Sequence, residues 1–316
     1  METLVTTSLN PDLDGIASVL AYIHLLTATG EGGKAGFEGK FQLDAQFLLE
    51  QLAFSLPPMP NRFDKVVLIN ASTRADVPNI VKKHHKKVVE VIDHRLYQDI
   101  EFEFPSVKRV NVEQVGACAT IIVEELARYS EVPPQTIATL LHAAIHSNTL
   151  DLKAGVTTQR DREAAALLAS WYPMSRSLID EMFRFRTILN PEQAESALKN
   201  DFKSPFNTAD GILGIAQIEM LDGTALFLEH TELIYRVLKE LKEQYNLDYV
   251  FLTIPCIDQK INHLYAVDKE SADFLRKYMA GCLDTSPDSQ SSSLFMKTSK
   301  LLLRKEIVPM FENLEL

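Results

Sequence analysis

The chain is poor in cysteine, tryptophan and long apolar runs. It has 3 cysteines and 1 tryptophan in 316 residues. None of the cysteines belongs to a CxxC pair, so neither a disulfide framework nor a structural zinc site is expected. No apolar run approaches the roughly 20 residues that a membrane helix needs. The start, Met1–Leu4, lacks the basic and apolar regions of a signal peptide. We therefore expect a cytoplasmic protein with no membrane partner.

Basic residues are scarce relative to acidic ones. Lys and Arg number 32 against 43 Asp and Glu, which gives a formal net charge of −11 at pH 7. An acidic chain binds the nucleic-acid backbone poorly, so general nucleic-acid binding is not expected. Hydrophobic residues make up 46% of the chain and charged residues 24%, the composition of a globular protein rather than a disordered or fibrous one.

The hydrophobic pattern predicts an α/β protein of two domains. Apolar strands near Thr3–Thr7, Val66–Ile69 and Val88–Ile92 alternate with helical patterns, which predicts a doubly wound parallel sheet. The second half predicts a smaller, mixed α/β domain. We predict domains at residues 1–183 and 192–316, joined by a linker at residues 184–191 that contains an Asn-Pro break. The polar segment 284–293 is predicted to be a surface loop.

Polar side chains follow three of the predicted strands. They are Ser8, Asn10, Asp12 and Asp14 after the first strand, Asn70, Ser72 and Thr73 after the second, and Asp93, His94 and Arg95 after the third. The carboxyl ends of neighbouring parallel strands meet in one crevice, where binding sites form. Carboxylates and an imidazole that converge there could hold a hard divalent cation. The alternative is that these residues only cap the helices that follow, as Asp and Asn often do.

These segments, in this order, resemble the DHH phosphoesterases. The sequences that carry the resemblance are NPDLD at 10–14, VLIN at 67–70 and VIDHR at 91–95, with further agreement at 115–121, 144–161, 200–203, 214–217 and 303–309. The branch it resembles is the manganese-dependent, family II inorganic pyrophosphatases, with prune-type and yeast-type exopolyphosphatases as relatives. The resemblance covers nearly the whole chain. It implies a phosphoric anhydride hydrolase with two metal ions and an active cleft between two domains.

The chain departs from that family at its metal-binding positions. Ser8 and Arg95 stand where the family has histidine, and Asn70 and Asn148 stand where it has aspartate. The resemblance assigns catalysis to the family residues that remain, which are Asp12, Asp14, Asp93 and His94. Of these, Asp12, Asp14 and His94 match metal ligands, and Asp93 matches a supporting carboxylate.

The substitutions all disfavour bound cations. Two divalent ions about 4 Å apart need anionic ligands to offset their repulsion. Neutral amides at 70 and 148 cannot supply that charge, and Arg95 adds a permanent positive charge. We expect no resident metal, or a single weakly bound Mg²⁺ or Mn²⁺ on Asp12, Asp14 and His94.

The basic residues that would hold phosphate are retained. Lys203, Arg304 and Lys305 match the phosphate-binding residues of the family's second domain, and Arg95 could supplement them with a guanidinium fork. Leu303 stands where the family usually has serine. Without metals, the four cations are expected to face one another with no counter-charge.

Three hypotheses follow. The first is a protein that binds a small phosphate-bearing ligand, such as pyrophosphate, polyphosphate or a nucleotide, with weak or no pyrophosphatase activity. The second is an active phosphoanhydride or phosphoester hydrolase that uses a single or altered metal site. The third is an interaction module that binds no ligand. A homodimer is a further expectation, because dimers occur in the resembled family.

Overall fold

The computed structural model describes residues 2–95, 99–187, 191–221, 224–285 and 293–311. It divides into two compact units, residues 1–152 with 156–182 and residues 153–155 with 183–316. Part of the predicted linker, residues 188–190, and most of the predicted loop, residues 286–292, lie outside the described residues. In the described part of the chain, no helix combines the length and the apolar character needed to cross a membrane.

A parallel sheet of five strands forms the centre of the first unit. The strands are β1 (Thr3–Thr6), β2 (Lys34–Ala35), β3 (Lys65–Ile69), β4 (Val88–Asp93) and β5 (Arg109–Val112). Their order is β2-β1-β3-β4-β5, and every pair is parallel. The order reverses between β1 and β3, and the carboxyl ends of strands at such a switch point open a crevice for ligands. The predicted parallel sheet is confirmed, and β1 and β3 lead into two of the candidate segments.

Eight helices of the described residues lie between the strands of this sheet along the chain or follow the last of them. They are α1 (Leu13–Ala28), α2 (Leu43–Gln51), α3 (Asn79–Lys83), α4 (Ile100–Glu103), α5 (Cys118–Arg128), α6 (Gln135–Asn148), α7 (Gln159–Trp171) and α8 (Arg176–Thr187), the last divided between the two units. β1, β3 and β4 contain the apolar side chains of the core, and Leu4, Val66, Leu68 and Val91 are fully buried in one core cluster. This core fixes the strand ends on which the candidate residues lie.

The second unit contains a mixed sheet. Its strands are β6 (Phe202–Asn207), β7 (Ile212–Gln217), β8 (Tyr249–Cys256), β9 (Ile261–Ala266) and β10 (Phe295–Lys297), in the order β10-β9-β8-β7-β6. The β7–β8 pair is parallel, and the other three described pairs are antiparallel. Its helices are α9 (Pro191–Asn200), α10 (Thr224–Gln244), α11 (Lys269–Met279) and α12 (Arg304–Ile307). The predicted mixed α/β character of this half is confirmed.

Candidate functional site

The turn after β1 brings Asp12 and Asp14 to the start of α1. Asp12 is the N-cap residue, and its Oδ1 accepts a hydrogen bond from the backbone N–H of Gly15 over 2.8 Å. The backbone at Gly15 passes so close to the residue that follows β1 that a Cβ there would lie 2.2 Å from Oγ1 of Thr7. Helix capping, which is the simpler interpretation of Asp12, is therefore part of its role.

Asp14 is almost fully buried and accepts three hydrogen bonds. Its Oδ2 accepts from the backbone N–H of Cys118 over 2.8 Å, and its Oδ1 from that of Ala119 over 2.7 Å. The Nδ2 of Asn148 also donates to Oδ2, over 2.6 Å. The two backbone donors belong to the first turn of α5, where the helix dipole favours a negative charge. Asp14 thus joins α1 to the start of α5 and the end of α6.

Asp161 holds the loop that presents those backbone donors. It is fully buried and accepts from the backbone N–H of Gly116 at 2.9 and 3.0 Å, from Oγ1 of Thr120 at 2.6 Å and from Oγ1 of Thr158 at 2.7 Å. Burial alone would raise the pKa of Asp161, but these hydrogen bonds outweigh it and lower the pKa. The sequence analysis did not identify this supporting role. Its signal was the spacing Thr158-x-x-Asp161, which the structure shows to be a capping box at α7.

Asn70 lies between a carboxylate and a guanidinium. It follows β3 in the left-handed region, with φ of 58°, which asparagine tolerates better than most residues. Its Nδ2 donates to Oδ1 of Asp12 over 3.0 Å, while its Oδ1 accepts from Nη2 of Arg95 over 3.1 Å. The two partners fix the orientation of the amide, because the carboxylate requires a donor and the guanidinium requires an acceptor.

Asp93 and Arg95 form an ion pair at the end of β4. Nε of Arg95 lies 3.3 Å from Oδ1 of Asp93, and Nη2 donates to the backbone oxygen of Asn70 over 2.7 Å. Asp93 is fully buried and also accepts from Oγ of Ser72 over 2.5 Å. Burial by itself would raise the pKa of Asp93, but the charges of Arg95 and His94 and the Ser72 hydrogen bond lower it. Asp93 is therefore a well-compensated anion.

His94 is buried beside Asp14. Its Nδ1 lies 3.1 Å from the backbone oxygen of Val115, so Nδ1 carries the proton, and its Nε2 lies 3.9 Å from Oδ2 of Asp14. Ser8, the remaining substituted position, is half-buried in the turn after β1. All the first-unit residues that the sequence singled out thus lie at the carboxyl ends of β1, β3 and β4 or at the end of α6.

The donor set in this arrangement does not fit a pair of divalent cations. Asn70 and Asn148 direct N–H groups at the Asp12 and Asp14 carboxylates, and an amide N–H cannot ligate a metal. The oxygen of Asn70 accepts from Arg95. Among the described residues, no group of three or more His, Cys, Asp or Glu side chains is placed to hold a metal ion.

The second unit places Lys203 and Arg304 near each other. Lys203 is exposed on β6 and pairs in register with Ile215 of β7. Nη1 of Arg304 lies 2.5 Å from the backbone oxygen of Asp201, two residues before Lys203, and 3.5 Å from that of Ile215. Lys305 follows on α12 and is half-buried.

The expectation that the cations lack counter-charges is wrong for both arginines. Nη2 of Arg304 lies 2.6 Å from Oδ1 of Asp201, and Arg95 is paired with Asp93. Each guanidinium has a carboxylate beside it, so the fold supplies the compensation that was expected from a bound anion. Arg95 is thus paired within the protein as Arg304 is, and its role as a phosphate ligand stays a prediction.

Comparison with known proteins gives relatives over the whole chain. Residues 2–145 match the family model of the DHH family, N-terminal domain. A "Probable manganese-dependent inorganic pyrophosphatase" of Deinococcus radiodurans is 28% identical over 316 residues, covering 96% of each chain. A protein of the same description from Clostridium acetobutylicum is 27% identical over 278 residues, covering 86% of this chain and 87% of its own.

A solved structure shares the fold. It is that of the Methanococcus jannaschii "putative family II inorganic pyrophosphatase", which superposes with a TM-score of 0.76 at 21% sequence identity and covers 98% of both chains. At that identity the likeness shows the two-unit α/β fold and nothing further about chemistry.

Proposed function

We propose, from the match of residues 2–145 to the model of the DHH family, N-terminal domain, that this chain is a pyrophosphatase-like protein that binds a phosphate-bearing ligand with weak or no pyrophosphatase activity. Its relatives are described as manganese-dependent inorganic pyrophosphatases. In this proposal the phosphate-binding residues of the resembled family persist, while four of the positions that would hold two metals have been replaced. The protein carries no resident metal, or a single weakly bound Mg²⁺ or Mn²⁺.

The observation that carries this proposal is the direction of two hydrogen bonds. Asn70 donates to Asp12 over 3.0 Å and Asn148 donates to Asp14 over 2.6 Å. Two retained carboxylates therefore accept N–H groups from the two residues that would be aspartates in the resembled family. Without a metal pair, the Lewis acidity and the activated water of a two-metal hydrolase are lost together. We therefore expect turnover of pyrophosphate to be lower than that of an intact relative by several orders of magnitude.

The basic residues of the second unit support binding of phosphate. Lys203 and Lys305 each carry an ammonium group, and Arg304 lies beside the strand that carries Lys203. The Arg304 guanidinium has five N–H groups, more than its bonds to Asp201 occupy. Charge-assisted hydrogen bonds from such groups are stronger than neutral ones. The ligand class is a small anion with phosphate oxygens, such as pyrophosphate, short polyphosphate or a mononucleotide.

Calorimetric titration of these three probes and of inorganic phosphate tests the binding. Lys203→Ala and Arg304→Ala should each weaken binding of the tightest probe by about 1–3 kcal/mol, and added salt should weaken it further by screening. Lys239→Ala and Arg236→Ala are matched controls, since Lys239 is exposed on α10 and Arg236 pairs with Glu195 as Arg304 pairs with Asp201. If no probe binds below millimolar concentration, the interaction-module hypothesis takes first place.

A phosphate-release assay tests the activity. Purified protein is incubated with pyrophosphate and Mn²⁺ or Mg²⁺ beside the Deinococcus radiodurans relative, described as a probable manganese-dependent inorganic pyrophosphatase, as the comparison. Release at a rate comparable to that relative would contradict the proposal and favour the hydrolase hypothesis.

We also propose a homodimer as the assembly. Sedimentation velocity at micromolar concentration measures it directly, and a monomer at that concentration would contradict it.

A further inference from the structure

Arg95, Asn70 and Asp12 form a continuous chain from a cation to an anion. Nη2 of Arg95 donates to Oδ1 of Asn70 over 3.1 Å, and Nδ2 of Asn70 donates to Oδ1 of Asp12 over 3.0 Å. An amide suits the middle position because it carries an acceptor and a donor at once. A carboxylate at 70 would instead face Asp12 with a like charge, which is unfavourable unless a cation lies between them.

The same guanidinium joins the ends of two strands. It donates to the backbone oxygen of Asn70, after β3, over 2.7 Å, and its Nε lies 3.3 Å from Asp93 at the end of β4. The guanidinium thus has Asp93 as a direct counter-charge and ties it to the residue that follows β3.

We propose that the guanidinium of Arg95 is the resident cation of this site, compensating Asp93 directly and Asp12 through Asn70, and so making the first unit independent of a divalent metal. A divalent ion that bound Oδ1 of Asn70 and Oδ1 of Asp93 would have to displace Arg95 from both oxygen atoms. The negative charges of Asp93 and Asp12 are accordingly offset by a side chain of the protein and not by a bound ion. This inference concerns the stability of the first unit and holds whether or not a phosphate binds to the second.

Thermal unfolding with and without metal tests the inference. The melting temperature of the full-length wild-type protein should be the same in EDTA and in excess MnCl₂. Arg95→Gln should melt lower than wild type in EDTA and regain part of the loss in MnCl₂, because Asn70 Oδ1 and the two carboxylates become available to Mn²⁺. Arg74→Gln is the matched control: Nε of Arg74 lies 3.1 Å from Glu103, and its side chain is 42% exposed against 41% for Arg95. It should show no response to MnCl₂.

Two results would overturn the inference. One is a wild-type melting temperature that rises with MnCl₂ or falls with EDTA. The other is an Arg95→Gln variant that responds to MnCl₂ no more than Arg74→Gln does. If Arg95→Gln does not fold, Arg95→Lys decides, since it keeps the charge: it should fold and remain indifferent to MnCl₂. A lysine variant that fails to fold, or that needs Mn²⁺, would show that the charge of Arg95 is not what the site requires.

Discussion

The amide of Asn148 donates a hydrogen bond to Oδ2 of Asp14 over 2.6 Å and so ties the last residue of α6 to the first turn of α1. Both oxygens of Asp14 already accept backbone N–H groups from α5. Three N–H donors therefore hold the carboxylate, two from the backbone and one from a side chain. A negatively charged residue at 148 would remove a donor and add a second anion at the same point.

Asn148→Asp should therefore destabilise the protein in EDTA at pH 7. The expected loss of unfolding free energy is about 1–3 kcal/mol, the cost of replacing a partly buried hydrogen bond by an unsatisfied or repelled group. Urea unfolding measures it. Asn200→Asp is the matched control, because Asn200 is also the last residue of its helix but donates to Ser196 on an exposed surface. Equal losses in the two variants would indicate that the helix terminus, and not Asp14, is responsible.

Gly15→Ala should destabilise the start of α1. The new Cβ would lie 2.2 Å from Oγ1, 3.0 Å from Cβ and 3.1 Å from Cγ2 of Thr7, so rotation of the threonine alone cannot clear it. We expect a loss of about 1–3 kcal/mol in urea unfolding, as for other overpacked sites. Gly32→Ala is the control, since a Cβ at that position would meet nothing within 4 Å among the described residues, and it should be neutral or slightly stabilising. Similar losses for both would mean that the close approach at Gly15 has little energetic weight.

The sequence predicted the strands that contain a run of buried apolar side chains. β1, β3 and β4 each contain such a run, and the polar residues that follow them do converge. β5 was not predicted, because Arg109–Val112 is a partly exposed edge strand without an apolar run. β6 was not predicted either, since Phe202–Asn207 alternates half-buried and exposed residues around a proline.

The contacts within the site were harder to predict than its members. Asp14 meets its backbone donors more than 100 positions further along the chain, and no local pattern encodes such a pairing. Whether an asparagine offers its oxygen or its nitrogen depends on the charge of its neighbours, which only the fold brings together. The pairing of Arg304 with Asp201 is a contact of the same long-range kind, and for that reason the expectation of uncompensated cations was wrong.

Asp161→Asn should remove a pH-dependent contribution to stability. The hydrogen bonds to Asp161 lower its pKa in the folded protein, so its contribution is present above the unfolded pKa of about 3.9 and is lost as the pH falls through the folded pKa. We expect the variant to lose about 1.5–3 kcal/mol at pH 7, typical of hydrogen bonds to a charged group. The difference from wild type should shrink in strongly acidic solution.

Urea unfolding at several pH values measures this difference. Asp64→Asn is the control, because exposed Asp64 accepts a backbone hydrogen bond from Glu2 at the surface. A difference between wild type and Asp161→Asn that stays constant down to about pH 2, below the ordinary aspartate pKa, would contradict the assignment of the effect to the ionised carboxylate.

Restoring the residues of the resembled family should create a metal site. The combined change Ser8→His, Asn70→Asp, Arg95→His and Asn148→Asp removes the Arg95 guanidinium and replaces two amides by carboxylates beside Asp12 and Asp14. Carboxylates and imidazoles are good ligands for Mn²⁺, and the added negative charge offsets the repulsion between two ions. We expect Mn²⁺ affinity to rise by at least roughly tenfold, the scale on which groups around a metal alter its binding, as measured by titration calorimetry.

A control variant carries the same net charge change on exposed or partly exposed positions. Its substitutions are Ser170→His, Asn79→Asp, Arg74→His and Asn200→Asp, and it should bind Mn²⁺ as wild type does. If the restored and control variants bind Mn²⁺ equally, these four positions do not correspond to the metal-binding positions of the family.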